Sequence, residues 1–142
     1  MKEKTLQNSV VAYLESLGAY VISVKSGKLM AVYSGKVRMI HLAPAGTPDL
    51  FVILEGIPIC IELKKDEKTA DQWKRVVSRY RESGSTAKSN IPIIQQYECH
   101  NEITRAGGIA IVCGSVQEVE DELVSHGFIQ RTLPKRVKYP VR

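Results

Sequence analysis

Asp49, Glu62 and Lys64 are the residues whose types and spacing could do chemistry. They fall within Gly46 to Lys64, GTPDLFVILEGIPICIELK. That stretch reads as two short apolar strands, Leu50 to Leu54 and Ile57 to Leu63. The Glu55-Gly56 pair joins them, with glycine supplying the positive φ that a two-residue hairpin loop needs. In such a hairpin Leu54 faces Ile57, Val52 faces Ile59, Leu50 faces Ile61 and Asp49 faces Glu62. Opposed residues share a face, with Cβ atoms roughly 4.5–5.5 Å apart. Lys64, two residues beyond Glu62, points to the same face. Two carboxylates so close repel each other, and keeping both ionised requires a counter-charge. A divalent cation supplies one. Hard ions such as Mg²⁺ or Mn²⁺ take oxygen ligands and bind through one or two carboxylates plus substrate phosphate. A lysine beside them stabilises phosphate charge or orients an attacking water. The plain alternative is a set of edge-strand charges. Both faces of the hairpin are apolar, however, which predicts burial on both sides. A charge cluster at a buried strand end is costly unless it serves a site.

The elements that must position this cluster follow from periodicity. Residues 3–17 carry a helical stripe, Glu3, Gln7, Val10, Leu14 and Leu17, and Gly18 is placed to end it. Glu3 at a helix start is also what the macrodipole favours, so a capping role stands beside a ligand role. Residues 19–24 read as a strand, as do Leu29 to Tyr33 and Val37 to Leu42. Lys25, Lys28, Lys36 and Arg38 sit at the intervening turns without neighbouring acids. Together with Lys65 they make a basic rim suited to a phosphate backbone, or simply solvated hairpin ends. Residues 66–83 form a second helix ended by Gly84, with Trp73, Val76, Val77 and Tyr80 on its apolar side and Lys74, Arg75, Arg79 and Arg81 on the other. A polar loop, 84–90, follows. A third helix spans 91–106, capped by Asn90 or Ser89 with Pro92 in its first turn. A strand at 109–113 and a closing helix at 116–125 complete an α/β sandwich. His41 reads as a structural or surface histidine.

Composition sets the outer bounds. The chain has 142 residues, 44% apolar and 25% charged, which suits one domain with a real core. Net charge is +5. The segment 131–142, which includes Lys135, Arg136 and Lys138, holds five Lys/Arg and no acid, leaving 15 basic and 15 acidic residues before it. Nucleic-acid affinity is therefore expected from this local tail rather than from overall basicity, against the alternative of a solvated end. Cys60, Cys99 and Cys113 show no CxxC spacing, so reduced thiols in an intracellular protein are expected, without zinc or disulfides. No signal peptide and no membrane-spanning run is visible, and no membrane partner is expected. No Ser-His-Asp arrangement, P-loop or Rossmann motif competes with the acidic cluster.

Pro48-Asp49 followed by Glu62-x-Lys64 resembles the signature of PD-(D/E)xK nucleases. The fuller form, Gly46-Thr47-Pro48-Asp49-Leu50 with Ile61-Glu62-Leu63-Lys64, resembles the virus-type replication–repair nuclease (VRR-NUC) branch. The resemblance covers about residues 3–123 and implies a mixed central sheet flanked by helices. It implies Asp49, Glu62, Lys64 and Gln96 as the catalytic set. Asp49, Glu62, the Leu63 carbonyl and Glu3 are the implied ligands of Mg²⁺ or Mn²⁺. The family's first helix carries a Glu followed four residues later by Gln, which Glu3 and Gln7 match. Its third motif is a Gln eleven residues before a Gly, then a strand. Gln96 and Gly107 fit this pattern, with Gln95 and Gln72 as competitors. The thirty or so residues between Lys64 and Gln96 exceed the compact family pattern, so 66–90 reads as an inserted helix and loop within a single domain, 1–130.

The resemblance implies a metal-dependent, structure-specific DNA endonuclease. Stand-alone members look like dimeric four-way-junction resolvases, and flap cutting is the alternative. An inserted helix with exposed Trp73 and Tyr80 would supply a homodimer interface; a monomer with Trp73 packed on its own sheet is the competing expectation. Outside enzymology, the competing classes are a non-catalytic nucleic-acid-binding module and a subunit of a repair assembly.

Overall fold

The computed structural model describes residues 3–25 and 28–128. Six strands are found: β1 (Tyr20–Ser23), β2 (Lys28–Tyr33), β3 (Lys36–His41), β4 (Leu50–Leu54), β5 (Ile57–Leu63) and β6 (Ile109–Cys113). Four helices accompany them: α1 (Glu3–Ser16), α2 (Glu67–Ser83), α3 (Ile91–Arg105) and α4 (Val116–Ser125). The central sheet has the order β1-β4-β5-β6 and is mixed, with β1, β4 and β5 antiparallel and β6 parallel to β5. A parallel pair needs a crossover of a dozen or more residues. Here α2, a short 3₁₀ turn at Lys88–Asn90 and α3 provide it. The helix that the sequence reads as inserted therefore belongs to the β5-to-β6 connection.

The β4–β5 hairpin has the expected register: Leu54 opposite Ile57, Val52 opposite Ile59 and Leu50 opposite Ile61. Its loop residues Glu55 and Gly56 both have positive φ, 52° and 80°. That is the handed turn whose twist suits a two-residue hairpin. The ladder stops at Leu50–Ile61, one step short of the expected Asp49–Glu62 pair. The Asp49 carbonyl accepts from Val24 N and so continues the β1–β4 pairing, while the Asp49 side chain takes the next bond toward β5.

One face of the sheet is the main core. Val10 and Leu14 of α1, Val119 of α4, and Leu50, Val52, Ile59, Ile61 and Cys113 of the sheet are all fully buried there. On the other face α2 and α3 pack against β6, with Ala70, Trp73, Val77 and Val112 forming a second cluster. On β1 and β4, Tyr20, Ile22 and Ile53 are exposed. The expectation that the hairpin is buried on both sides is corrected accordingly. It holds for β5 from Ile59 to Leu63 and fails at Ile53 of β4 and Ile57 of β5.

Helix boundaries follow local chemistry. The Asp66 carboxylate caps α2, accepting from the Thr69 hydroxyl and amide, which also holds its pKa below the usual carboxylate value. Gly84, at φ 72°, ends that helix. Ser115 caps α4. Asn90 occupies the N-cap position of α3 but makes no side-chain cap bond, because the 3₁₀ turn leads directly into the helix. Ser115 Oγ also donates to Glu67 Oε1 at 2.7 Å, tying α4 to the start of α2. Gly114 is required at this junction, since a Cβ there would overlap the Asp66 carbonyl. β2 and β3 form a separate two-stranded ribbon.

Candidate active site

The end of β5 gathers four side chains from three elements. Lys64 Nζ lies 3.4 Å from Glu62 Oε1 and donates to Gln96 Oε1 at 3.1 Å. Gln96 Nε2 donates to Glu62 Oε1 at 2.9 Å. Trp73 Nε1 donates to Gln96 Oε1 at 2.7 Å. Glu62 is nearly buried, at 5% exposure, and the Lys64 side chain is 17% exposed. A carboxylate so enclosed would be expensive to keep charged without partners. The ammonium and the amide supply them, and both remain at the edge of solvent.

Asp49 joins from β4. Its Oδ2 accepts the Leu63 backbone N–H at 2.8 Å, so the carboxylate lies against the Glu62–Lys64 segment. In an antiparallel ladder a residue's N–H and C=O leave the strand along the same edge. The Leu63 carbonyl therefore leaves β5 on the Asp49 side, while the next amide, Lys64 N, donates to Cys113 O on the β6 side.

Two carboxylates and a peptide carbonyl are hard oxygen donors, which fit Mg²⁺ or Mn²⁺ completed by water and phosphate oxygens. They do not make a zinc site. Among the described residues no group of three or more His, Cys, Asp or Glu side chains could hold a metal.

The loop before Asp49 is built to meet α3. Gly46 has φ +91°, and a Cβ on it would stand 2.8 Å from the Gln95 carbonyl oxygen and 3.1 Å from Gln96 N. Thr47 Oγ1 donates to Pro44 O at 2.6 Å and closes the loop. Glycine thus lets the Asp49 loop press on the turn of α3 that carries Gln96. Gly46→Ala is expected to cost about 1–3 kcal/mol of stability through overpacking and backbone strain. Gly56→Ala, with equally unusual φ but open space around it, should cost less. Urea unfolding of the two variants checks the order.

Of the three candidate glutamines, Gln96 lies in the cluster, whereas Gln95 and Gln72 are exposed. Gln7 is not in it, because its Nε2 donates to Ser23 Oγ of β1 at 3.0 Å. Glu3 begins α1, and its side chain lies outside the described residues, as do those of Lys28, Arg38 and His41. Lys25, Lys36 and Lys65 are exposed. The expected rim is not one patch. Lys28 stands at the base of the β2–β3 ribbon opposite His41, and Lys36 at its tip opposite Tyr33, five ladder steps or roughly 17 Å away. Lys135, Arg136 and Lys138 lie outside the described residues.

Trp73 corrects the expectation of an exposed aromatic interface. It is 7% exposed and packed with Ala70, Val77 and Val112, while Tyr80 is half-buried and edge-on to Tyr97. The apolar face of α2 packs on β6 and α3, so Trp73 is not available to a second copy.

His100, one turn after Gln96, is placed on the Gln96 face of its helix by periodicity, but nothing in the sequence gives it a role. It is buried, its ring lies 5.5 Å from that of Trp73, and among the described residues its Nε2 has no hydrogen-bond partner. Burial, and then the neighbouring Lys64 charge, lowers its pKa to about 4. In the unfolded chain the imidazole takes a proton near pH 6.5, so between those values the unfolded state binds more protons. Stability is thus expected to fall by up to about 3 kcal/mol as pH drops from 6.5 to 4. Urea unfolding across this range should show a shallower pH slope for His100→Asn than for the parent chain. The three thiols are free, and burial pushes Cys113 up to about 12, which keeps it protonated and unreactive.

No protein-family model matches the chain, and no curated protein matches it. Among solved structures, a chain described as "VRR_NUC domain" is similar to it, with 24% identity, 89% of this chain and 98% of that chain covered, and a TM-score of 0.48. No helix among the described residues is long and apolar enough to cross a membrane.

Proposed function

We propose that this chain is a metal-dependent endonuclease hydrolysing DNA phosphodiesters in branched substrates. The observation that carries this reading is the convergence of Asp49, Glu62, Lys64 and Gln96 at the end of β5, through the bonds given above. Asp49, Glu62 and the Leu63 carbonyl would hold Mg²⁺ or Mn²⁺, with Glu3 as a further proposed ligand. When bound, the cation would lower the pKa of a water and neutralise charge on the phosphate. Lys64 would place its ammonium against the charge that builds on the phosphate in the transition state. Gln96, touching both Lys64 and Glu62, would hold them in that relation.

The preferred substrate in this reading is a four-way junction, cut by a two-fold homodimer. One such site cuts one strand, and isologous pairing supplies two sites from one gene product. With Trp73 buried, the dimer rests on this need rather than on an aromatic interface. A panel of labelled DNAs (four-way and three-way junctions, flap, nick, linear duplex, single strand) in Mg²⁺ and Mn²⁺ tests the activity. Light scattering at micromolar concentration tests the assembly. Paired incisions in the four-way junction by a dimer are expected, whereas a clean monomer that nicks only flaps would remove the resolvase reading.

The separate basic residues of the expected rim and the tail are proposed to contact the DNA backbone. Truncation after Gln130 removes five cationic side chains. It is expected to weaken DNA binding and to flatten the plot of log affinity against log salt, by up to about 0.9 per lost phosphate contact. An unchanged slope in a salt titration would mean that the tail does not touch DNA.

A further inference from the structure

The orientation of the Gln96 amide is not arbitrary. An indole N–H and an ammonium are donors only, and a carboxylate is an acceptor only. Gln96 meets all three, with Oε1 toward Trp73 and Lys64 and Nε2 toward Glu62. The flipped amide would set NH₂ against two donors and oxygen against a carboxylate. Lys64 alone could not enforce this choice firmly, since an ammonium on a four-carbon stem turns easily. The indole can. Its bond to Oε1, at 2.7 Å, is the shortest in the network, and its ring is fixed among Ala70, Val77 and Val112 and against His100.

We propose that Trp73 is a positioning residue, whose indole N–H sets the Gln96 amide and through it the relation of Lys64 to Glu62. The proposal rests on the nuclease reading for its consequence, but its geometry does not. It gives α2 a role beyond filling the second face of the sheet. The helix whose start follows Lys64 sends its tryptophan back over the same residue's partner.

The test is a double-mutant cycle in single-turnover cleavage, with Trp73→Phe, Gln96→Ala and the pair. Phe keeps the apolar ring and deletes the donor. Trp73→Phe is expected to lower the cleavage rate about 10-fold with DNA affinity unchanged. In the Gln96→Ala background it should cost nothing more. An additive loss would mean that Trp73 acts only through packing, and an unaltered rate would likewise overturn the proposal. If Trp73→Phe fails to fold, 3-benzothienylalanine at position 73 keeps the two-ring shape without the N–H, and the same outcomes apply. A second readout needs no activity. Trp73 is the only tryptophan, so its indole proton is a single resonance in a ¹H–¹⁵N spectrum. A slowly exchanging signal that shifts and exchanges faster in Gln96→Ala supports the bond; a signal indifferent to Gln96 contradicts it. A parent chain that cuts no DNA but shows this resonance would sink the nuclease reading and leave the geometry standing.

Discussion

Lys64→Ala and Glu62→Gln are each expected to slow DNA cutting by at least on the order of 100-fold, with the fold retained. The two side chains are partners, 3.4 Å apart, and each also touches Gln96. Glu62→Gln keeps the shape and the hydrogen-bonding oxygen while removing the charge, so folding should hardly change. Lys64→Ala strips a nearly buried carboxylate of its ammonium, which raises the cost of ionising Glu62. Lys64 itself borders solvent, so water can take its place and the chain should still fold. The loss should appear in the chemical step and not in DNA affinity, because a single exposed-edge cation adds little to binding a polyanion that many others contact. Single-turnover rates beside thermal unfolding curves make the check. Near-normal cutting by either well-folded variant would remove the proposed site.

Removing the cation should abolish cutting altogether, and Asp49 should set its affinity. A chelator is expected to stop cleavage and added Mg²⁺ or Mn²⁺ to restore it. Asp49 has two jobs: one oxygen accepts the Leu63 N–H, and the carboxylate as a whole brings negative charge to the end of β5. Asp49→Asn can keep the first and loses the second, whereas Asp49→Ala loses both. Both should weaken Mn²⁺ binding by roughly 10-fold or more in calorimetry, since one of two anionic ligands is gone. Only Asp49→Ala should also loosen the junction of β4 with β5. Equal Mn²⁺ affinity in parent and Asp49→Asn would place any cation elsewhere.

The pairing of β4 with β5 was legible because side-chain alternation and a two-residue loop leave one register, which carries Glu62 and Lys64 to the same end. Gln96 was singled out through the family resemblance, by its place eleven residues before Gly107 and a strand, and its contacts with Glu62 and Lys64 are seen only in the folded chain. What stayed hidden depends on packing between elements distant in sequence. Trp73 reads as an apolar residue on a basic helix. Nothing local says that its N–H meets a glutamine 23 positions on, or that its ring lies against His100. The exposed face at Ile53 was hidden for the same reason: an apolar strand looks alike whether or not a helix reaches it. Asp49 shows the limit of extrapolating a ladder, since the Leu63 N–H bonds the Asp49 carboxylate and the β4–β5 pairing ends one step earlier.

The central claim is metal-dependent hydrolysis of DNA by this one constellation. It is tested most directly by a time course of the parent chain on a labelled four-way junction in Mn²⁺, with Glu62→Gln run beside it. Incised product is expected from the parent, none after chelation, and at most about one hundredth of the parent rate from the variant. An intact junction with the parent in Mn²⁺, or equal cutting by Glu62→Gln, would contradict it.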